Sequence, residues 1–224
     1  MNVSKKCLVI GLALLLCLGC CSCSSNQASK VDALIESIGE VTAASEETIT
    51  NAREAYDKLK DSSKELVKNY DVLINAEADF AVIKCKDLFK GFDFTGGVEV
   101  LQANSDILTD EEKLDCMLTY GQWYCFYLGE SNLKSRLKNP FSYRCLGGTS
   151  MASENTIYPK EYNEYYASIS IDYVASNSFG GEVRNTFSDL YFFTPDIVNY
   201  SIKNIMTNLE MAEKKVQLDN MKKS

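Results

Sequence analysis

The 224-residue chain carries 23 basic against 31 acidic side chains, a net charge of −8, with a hydrophobic fraction of 46%. That is enough apolar content for a packed core, and the wrong sign for a protein that grips a phosphate backbone. Histidine is absent altogether, which excludes Ser-His-Asp and Cys-His nucleophile pairs, His-ligated zinc and His-ligated haem. No nucleic-acid partner, no cofactor and no metal is therefore expected.

In chain order, Lys5 and Lys6 precede an apolar run of 13 residues from Cys7 to Gly19. This suits the central region of a secretory signal and falls short of the roughly 20 residues of a spanning helix. Cys20-Cys21-Ser22-Cys23 and a polar stretch from Ser24 follow. A small residue directly before a cysteine, closing such a run, resembles the lipobox of bacterial lipoproteins. The resemblance implies removal of residues 1–19 as a lipoprotein signal peptide and acylation of the new N-terminal cysteine. Cys20 is the first choice because Gly19 stands before it, although Cys17 occupies the position where leucine is usual. Cys21 is the second choice, with Leu18 in the leucine position but Cys20 at the cut. An uncleaved anchor is the alternative, because counting through Cys23 lengthens the run to about 17 residues, the lower limit for spanning. Both readings leave the lysines inside and the remainder on the extracytoplasmic face of the cell membrane. Loss of Lys5 and Lys6 brings the mature charge to −10, so the lipid, not electrostatics, must hold the body to an anionic bilayer. Two acyl chains, at about 0.8 kcal/mol per buried CH₂, suffice for that.

Residues 20–30 are predicted to be a solvated tether. Val31, Leu34, Ile35 and Ile38 then mark a helical stripe ending at Gly39. Ser45 is a good N-cap for a second helix with Ile49, Ala52, Tyr56 and Leu59 on one face. Ser62 and Glu65 have the spacing of a capping box, and the stripe continues through Leu73, Ala76, Phe80 and Ile83. Ile38-Gly39-x-Val41-Thr42, Ala52-x-x-Ala55-Tyr56-x-x-Leu59 and Lys64-x-x-Val67-x-Asn69-Tyr70-x-x-Leu73-x-x-Ala76-Glu77 together resemble a helical module of Gram-positive surface proteins. The likeness covers residues 31–80 and implies a spacer or interaction role without catalytic residues. A helical module of three to four helices is expected over 31–84.

An α+β domain is expected over 85–193. Gly91 and Gly96-Gly97 suggest a loop. Thr109 and Glu112 form a capping box before a helix that runs to the Lys138-Asn139-Pro140 stop. Phe141 to Leu146 is predicted to be a strand. Ala167, Ile169, Ile171 and Tyr173 alternate with Ser168, Ser170 and Asp172, as a strand with one wet face does. Asn177-Ser178-Phe179-Gly180-Gly181 turns the chain into a further strand through Val183, Phe187, Tyr191 and Phe193. The expected fold class is α+β, with a small antiparallel sheet of about three strands packed on helices. Leu137-Lys138-Asn139-Pro140-x-Ser142 followed by Asn177-Ser178-Phe179-Gly180-Gly181-x-Val183-Arg184 resembles a recurrent domain of uncharacterised bacterial lipoproteins, over about 130–190, and this likeness implies no activity. Thr194-Pro195-Asp196 has the composition of a helix start, so a C-terminal helix is expected over 194–224.

Little chemistry stands out. Cys85, Cys116, Cys125 and Cys145 lie in the exported body, and no CxxC occurs among them. Cys116 and Cys125, nine residues apart on one helix, are separated by about 13 Å and point to opposite faces, so any disulfide must use Cys85 or Cys145. Four buried thiols are the alternative. Ser131-x-x-Lys134 matches the S-x-x-K of penicillin-binding enzymes but lacks the accompanying KTG element. Asp110-Glu111-Glu112 suggests paired carboxylates, although a helix start already accounts for them. Tyr158, Tyr162, Tyr165 and Tyr166 with Phe179 are the candidate binding surface, offering flat apolar faces with polar tips; packing at the edge of the sheet is the competing reading. The expected function is a non-enzymatic binding or structural lipoprotein at the cell surface, with a cell-envelope polymer or protein as partner. A cell-wall or glycan hydrolase using acidic residues is the alternative.

Overall fold

Between residues 25 and 90 the only glycine is Gly39 and there is no proline, so a three- to four-residue apolar period can run on as helix. The structure, a computed structural model, describes residues 25–159 and 163–221. It divides into two units, Met1–Ile83 and Lys84–Ser224.

The first unit holds α1 (25–36), α2 (Glu46–Asp57), α3 (Asp61–Lys64) and the first part of α4 (Tyr70–Lys90). Its core joins Val31, Ile35, Ile38, Ile49, Ala52, Leu73 and Ala76. α1 begins within the expected tether, because Ala28 is already buried and extends the Val31–Ile35 stripe back by one turn. The Ser62–Glu65 box is also corrected. α3 is a single turn with Lys60 at its N-cap and no side-chain cap, and the long helix restarts only at Tyr70. There Asp32 of α1 accepts from Lys68 N and Asn69 N at 2.9 and 3.0 Å, so the backbone donors ahead of α4 are satisfied from a neighbouring helix. Arg53 donates from Nε and Nη2 to the two oxygens of Glu77, at 2.6 and 2.5 Å, and lies over the stacked rings of Tyr56 and Tyr70. Glu77 thereby holds the Arg53 guanidinium above its ordinary range.

The second unit continues with α5 (Phe94–Ala103) and α6 (Asp110–Arg136). A four-stranded antiparallel sheet in the order β1-β2-β3-β4 and a closing helix, α7, follow. The class is α+β. The expected loop around Gly96-Gly97 is the first turn of α5, where Asp93 caps through Gly96 N at 2.9 Å. A Cβ at Gly97 would stand 2.3 Å from the Phe89 ring, so the glycine there serves close approach, not a turn. α6 starts at the Thr109–Glu112 capping box as its sequence predicts.

β1 (Arg144–Glu154), β2 (Tyr165–Ser176), β3 (Glu182–Asp196) and β4 (Ser201–Thr207) form a meander, so a fourth strand joins the three expected. The expected strand at Phe141–Leu146 is also corrected: Pro140–Ser142 is a 3₁₀ turn, and β1 begins after it. One face of the sheet receives α6, with Cys125, Phe126 and Leu133 packed on Ala167, Ile169, Ile171, Tyr191 and Phe193. α6 can lie this close because it presents Gly121 to Phe193 and Gly129 to Ile169.

Residues 194–207 are not the start of the C-terminal helix. The Asp196 carboxylate accepts from Val198 N and Asn199 N, both at 3.1 Å, which is the bonding of an N-cap put to use in a turn. Tyr200 then takes φ +47° and the chain reverses into β4. α7 (Asn208–Met221) begins instead at a capping box, in which Thr207 N donates to Glu210 at 2.6 Å and Glu210 N donates back to the Thr207 hydroxyl at 3.3 Å.

Candidate binding surface

Sequence and register bring two loops to one end of the sheet. α6 ends at Arg136, and Asn139, kept out of the helical region by the following Pro140, leads into the 3₁₀ turn. Across the sheet, Ser176 pairs with Glu182, so the hairpin loop 177–181 closes β2 and β3 at the end where β1 begins. Asn177 organises that loop. Its side-chain oxygen accepts from Phe179 N and Gly181 N at 2.9 and 3.0 Å, and Gly180 supplies the required φ of +82°. The loops are joined: Ser176 N donates to the Ser142 hydroxyl at 2.8 Å, and Lys138 Nζ donates to the Ser178 hydroxyl at 2.9 Å.

The polar atoms of both loops thus bond inward, and the aromatic side chains are turned out. Phe141 is 99% exposed and Phe179 is 96% exposed. Around them the charge departs from that of the whole chain. Residues 134–146 and 176–186 carry Lys134, Arg136, Lys138, Arg144 and Arg184 against Glu182 alone. Arg144 pairs with Glu182 at 2.9 Å, and Lys134 with Glu130 at 3.1 Å while lying over the Tyr143 ring. Lys138, Arg136 and Arg184 have no carboxylate within ion-pair distance among the described residues. Beside the loops runs a shallow groove of about 350 Å³ lined by Leu146, Asp172, Tyr173, Arg184, Asn185 and Thr186.

Of the residues singled out in the sequence, Phe179 alone belongs to this surface. Tyr165 and Tyr166 stand at the other end of β2, a 12-residue strand and therefore roughly 35–40 Å away at about 3.3 Å per residue. Strand alternation sends them to opposite faces. Tyr165 stacks on Phe193, at 6.2 Å between ring centroids, whereas Tyr166 and Tyr158 close over Phe192, at 5.9 and 5.2 Å. The Tyr158 hydroxyl donates to Asn208 at 3.1 Å. Tyr162 lies outside the described residues, as do Cys20, Cys21 and the 1–19 segment. Lys138 and Arg184 stand in the motifs of the lipoprotein-domain likeness and Phe141 at the start of the expected strand, but neither they nor Arg144 are singled out there as binding residues. An aromatic residue inside the polar run Lys138–Ser142 was the available signal.

Elsewhere, possible reacting groups are engaged. Glu112 serves the Thr109 capping box, and Asp110 lies 3.7 Å from Lys113. As the nine-residue spacing predicts, Cys116 and Cys125 go to opposite sides of α6: Cys125 enters the sheet core, and Cys116 meets the Cys85 thiol of α4. The hydrogen bond to Cys116 and burial push the Cys85 thiol up, and burial alone takes Cys125 up to about 12. Cys145 is exposed, so the four cysteines are not uniformly buried. No group of residues able to hold a metal occurs among the described residues, and no helix there is long and apolar enough to cross a membrane. No family model, no curated protein and no solved structure matches the chain.

Proposed function

We propose that the chain is a lipid-anchored protein of the extracytoplasmic face with a non-enzymatic binding role at the cell surface. The anchor is the Cys20 thiol, with Cys21 as second choice, and the working surface belongs to the Lys84–Ser224 unit. The observation that carries the binding role is the outward pair Phe141 and Phe179 on two mutually hydrogen-bonded loops. Holding two large apolar side chains in water forgoes the stabilisation of burying them, about 1.5–3 kcal/mol each, and a partner that covers them recovers it. The anchoring is supported by Lys5-Lys6, the 13-residue apolar run and Gly19-Cys20.

Intact mass spectrometry of the full chain extracted from membranes tests the anchoring. The expected product begins at Cys20, lacks residues 1–19 and carries added acyl mass. A product that retains Met1 and bears no lipid overturns it. Sedimentation with isolated cell envelopes tests the binding role: Phe141→Ser with Phe179→Ser is expected to abolish whatever retention remains after the lipid anchor is removed enzymatically. Retention unchanged by the double substitution counts against it.

A further inference from the structure

We infer that the Phe141–Phe179 end of the Lys84–Ser224 unit is a membrane-interface contact that seats on an anionic phospholipid surface. The inference rests on the preceding reading in that an anchored chain always has a bilayer within reach. Shape and charge are its own grounds. The two phenylalanines are almost wholly exposed and protrude from separate loops. Protruding apolar tips need a partner that deforms around them, as the boundary between headgroups and acyl chains does. Their neighbours fit that medium. Lys138, Arg136 and Arg184 are exposed, carry long apolar stems and have no carboxylate partner among the described residues. Such side chains lay their stems along apolar surface while their charged heads reach lipid phosphates.

The charge is segregated against the trend of the chain: with Glu130 and Asp172 counted beside Glu182, five basic residues still outnumber three acidic ones here, within a total of −8. That is the signature of a local attraction to an anionic surface in a body that is otherwise repelled by one. The opposite end of the sheet provides an internal contrast. Val198, in the turn after β3, is also exposed at 79%, but the nearby Lys203 is spent on Asp196.

The test uses the full lipidated chain on vesicles. Trp123 is the sole tryptophan, so Trp123→Phe gives a silent background for Phe141→Trp, Phe179→Trp and Val198→Trp. The vesicles contain phosphatidylglycerol with brominated phosphatidylcholine as quencher. Expected is a blue shift and strong quenching at positions 141 and 179 and neither at 198. Adding Lys138→Glu with Arg184→Glu, or omitting phosphatidylglycerol, is expected to remove the quenching. If the chain floats with the vesicles while 141 and 179 behave like 198, the inference is overturned and the anchoring stands. A chain recovered from membranes without acyl mass refutes the anchoring instead. In that case quenching of the unlipidated chain by added phosphatidylglycerol vesicles upholds the inference, and its absence overturns it. A shift at 141 and 179 with isolated peptidoglycan but not with vesicles also overturns it.

Discussion

The two ends of the sheet use the same residue types to opposite ends. At one, Phe192 and Phe193 are fully buried, Tyr158 and Tyr166 cover the first, and Tyr165 stacks on the second. The buried amide of Asn163 knits that end together: it donates to Asn204 O at 2.9 Å and accepts from the Thr194 hydroxyl at 3.2 Å, while Asn155 donates to Asn163 O at 2.8 Å. At the other end Phe141 and Phe179 touch solvent on nearly all sides, and the polar groups form only the loops that hold them out. Aromatic content therefore marks the first end as the place where the fold is held, and the second as the surface proposed above for binding. Of the candidate residues, Tyr158, Tyr165 and Tyr166 pack at the first end and Phe179 stands at the second.

That division is most easily broken at Phe192. Phe192→Ala leaves a cavity between the sheet and its tyrosine cover and is expected to cost about 3–5 kcal/mol. At roughly 2–4 °C per kcal/mol for a chain of this size, the thermal midpoint followed by near-ultraviolet circular dichroism should fall by about 6–20 °C. A fall of a degree or two would mean that this end is not where stability resides. Asn163→Ala comes next. It removes the buried amide that serves the part-buried Asn204 carbonyl and Thr194 hydroxyl, and a loss of about 1–2 kcal/mol is expected in urea unfolding.

How much of this was legible in the sequence follows from how local each signal is. The capping box at Thr109–Glu112 and the stop before Pro140 are complete within a few residues, and α6 lies where they put it. The alternation of Ala167, Ile169 and Ile171 with serines likewise identifies β2. β4 was hidden by a bulge. Asn204 takes φ +54° where the pairing slips between Phe192 and Thr194, which lets Ile202 and Ile205 pack on the same core. A regular strand would send residues three apart to opposite faces, so a bulged one imitates the spacing of a helix. Asp196 completed the disguise, since a carboxylate accepting from the second and third following N–H groups serves a turn as well as a cap. The candidate surface was illegible for a different reason. Exposure of Phe141 depends on where β1 starts and on a hairpin loop about 40 positions further along the chain, and no window of sequence contains both.

The same Asp196 gives the buried end a pH dependence. Lys203, Asn199 and Val198 hold its carboxyl well below the usual carboxylate range. A carboxyl that titrates lower in the folded chain than its unfolded value of about 3.9 stabilises the fold above that value, and the contribution disappears as pH falls below it. Wild type should therefore lose urea resistance more steeply below pH about 4 than Asp196→Asn, with the two curves running parallel near neutrality. Parallel curves throughout would show that the Asp196 turn contributes only its shape.

Phe141→Ser and Phe179→Ser should do least to the fold. Neither ring packs on the core, so each change is expected to fall within about 0.5 kcal/mol in urea unfolding, either alone or together. A larger loss would mean that the rings support their loops, and the contrast between the two ends would fail. The small effect has force because it is paired with a large one. The substitutions that leave the unfolding midpoint in place are those expected to release the unit from the phospholipid surface, whereas Phe192→Ala and Asn163→Ala should lower the midpoint and leave vesicle contact intact below it. Two sets of variants with crossed outcomes separate a surface kept for binding from one kept for folding, which a loss of both properties in a single variant could not do.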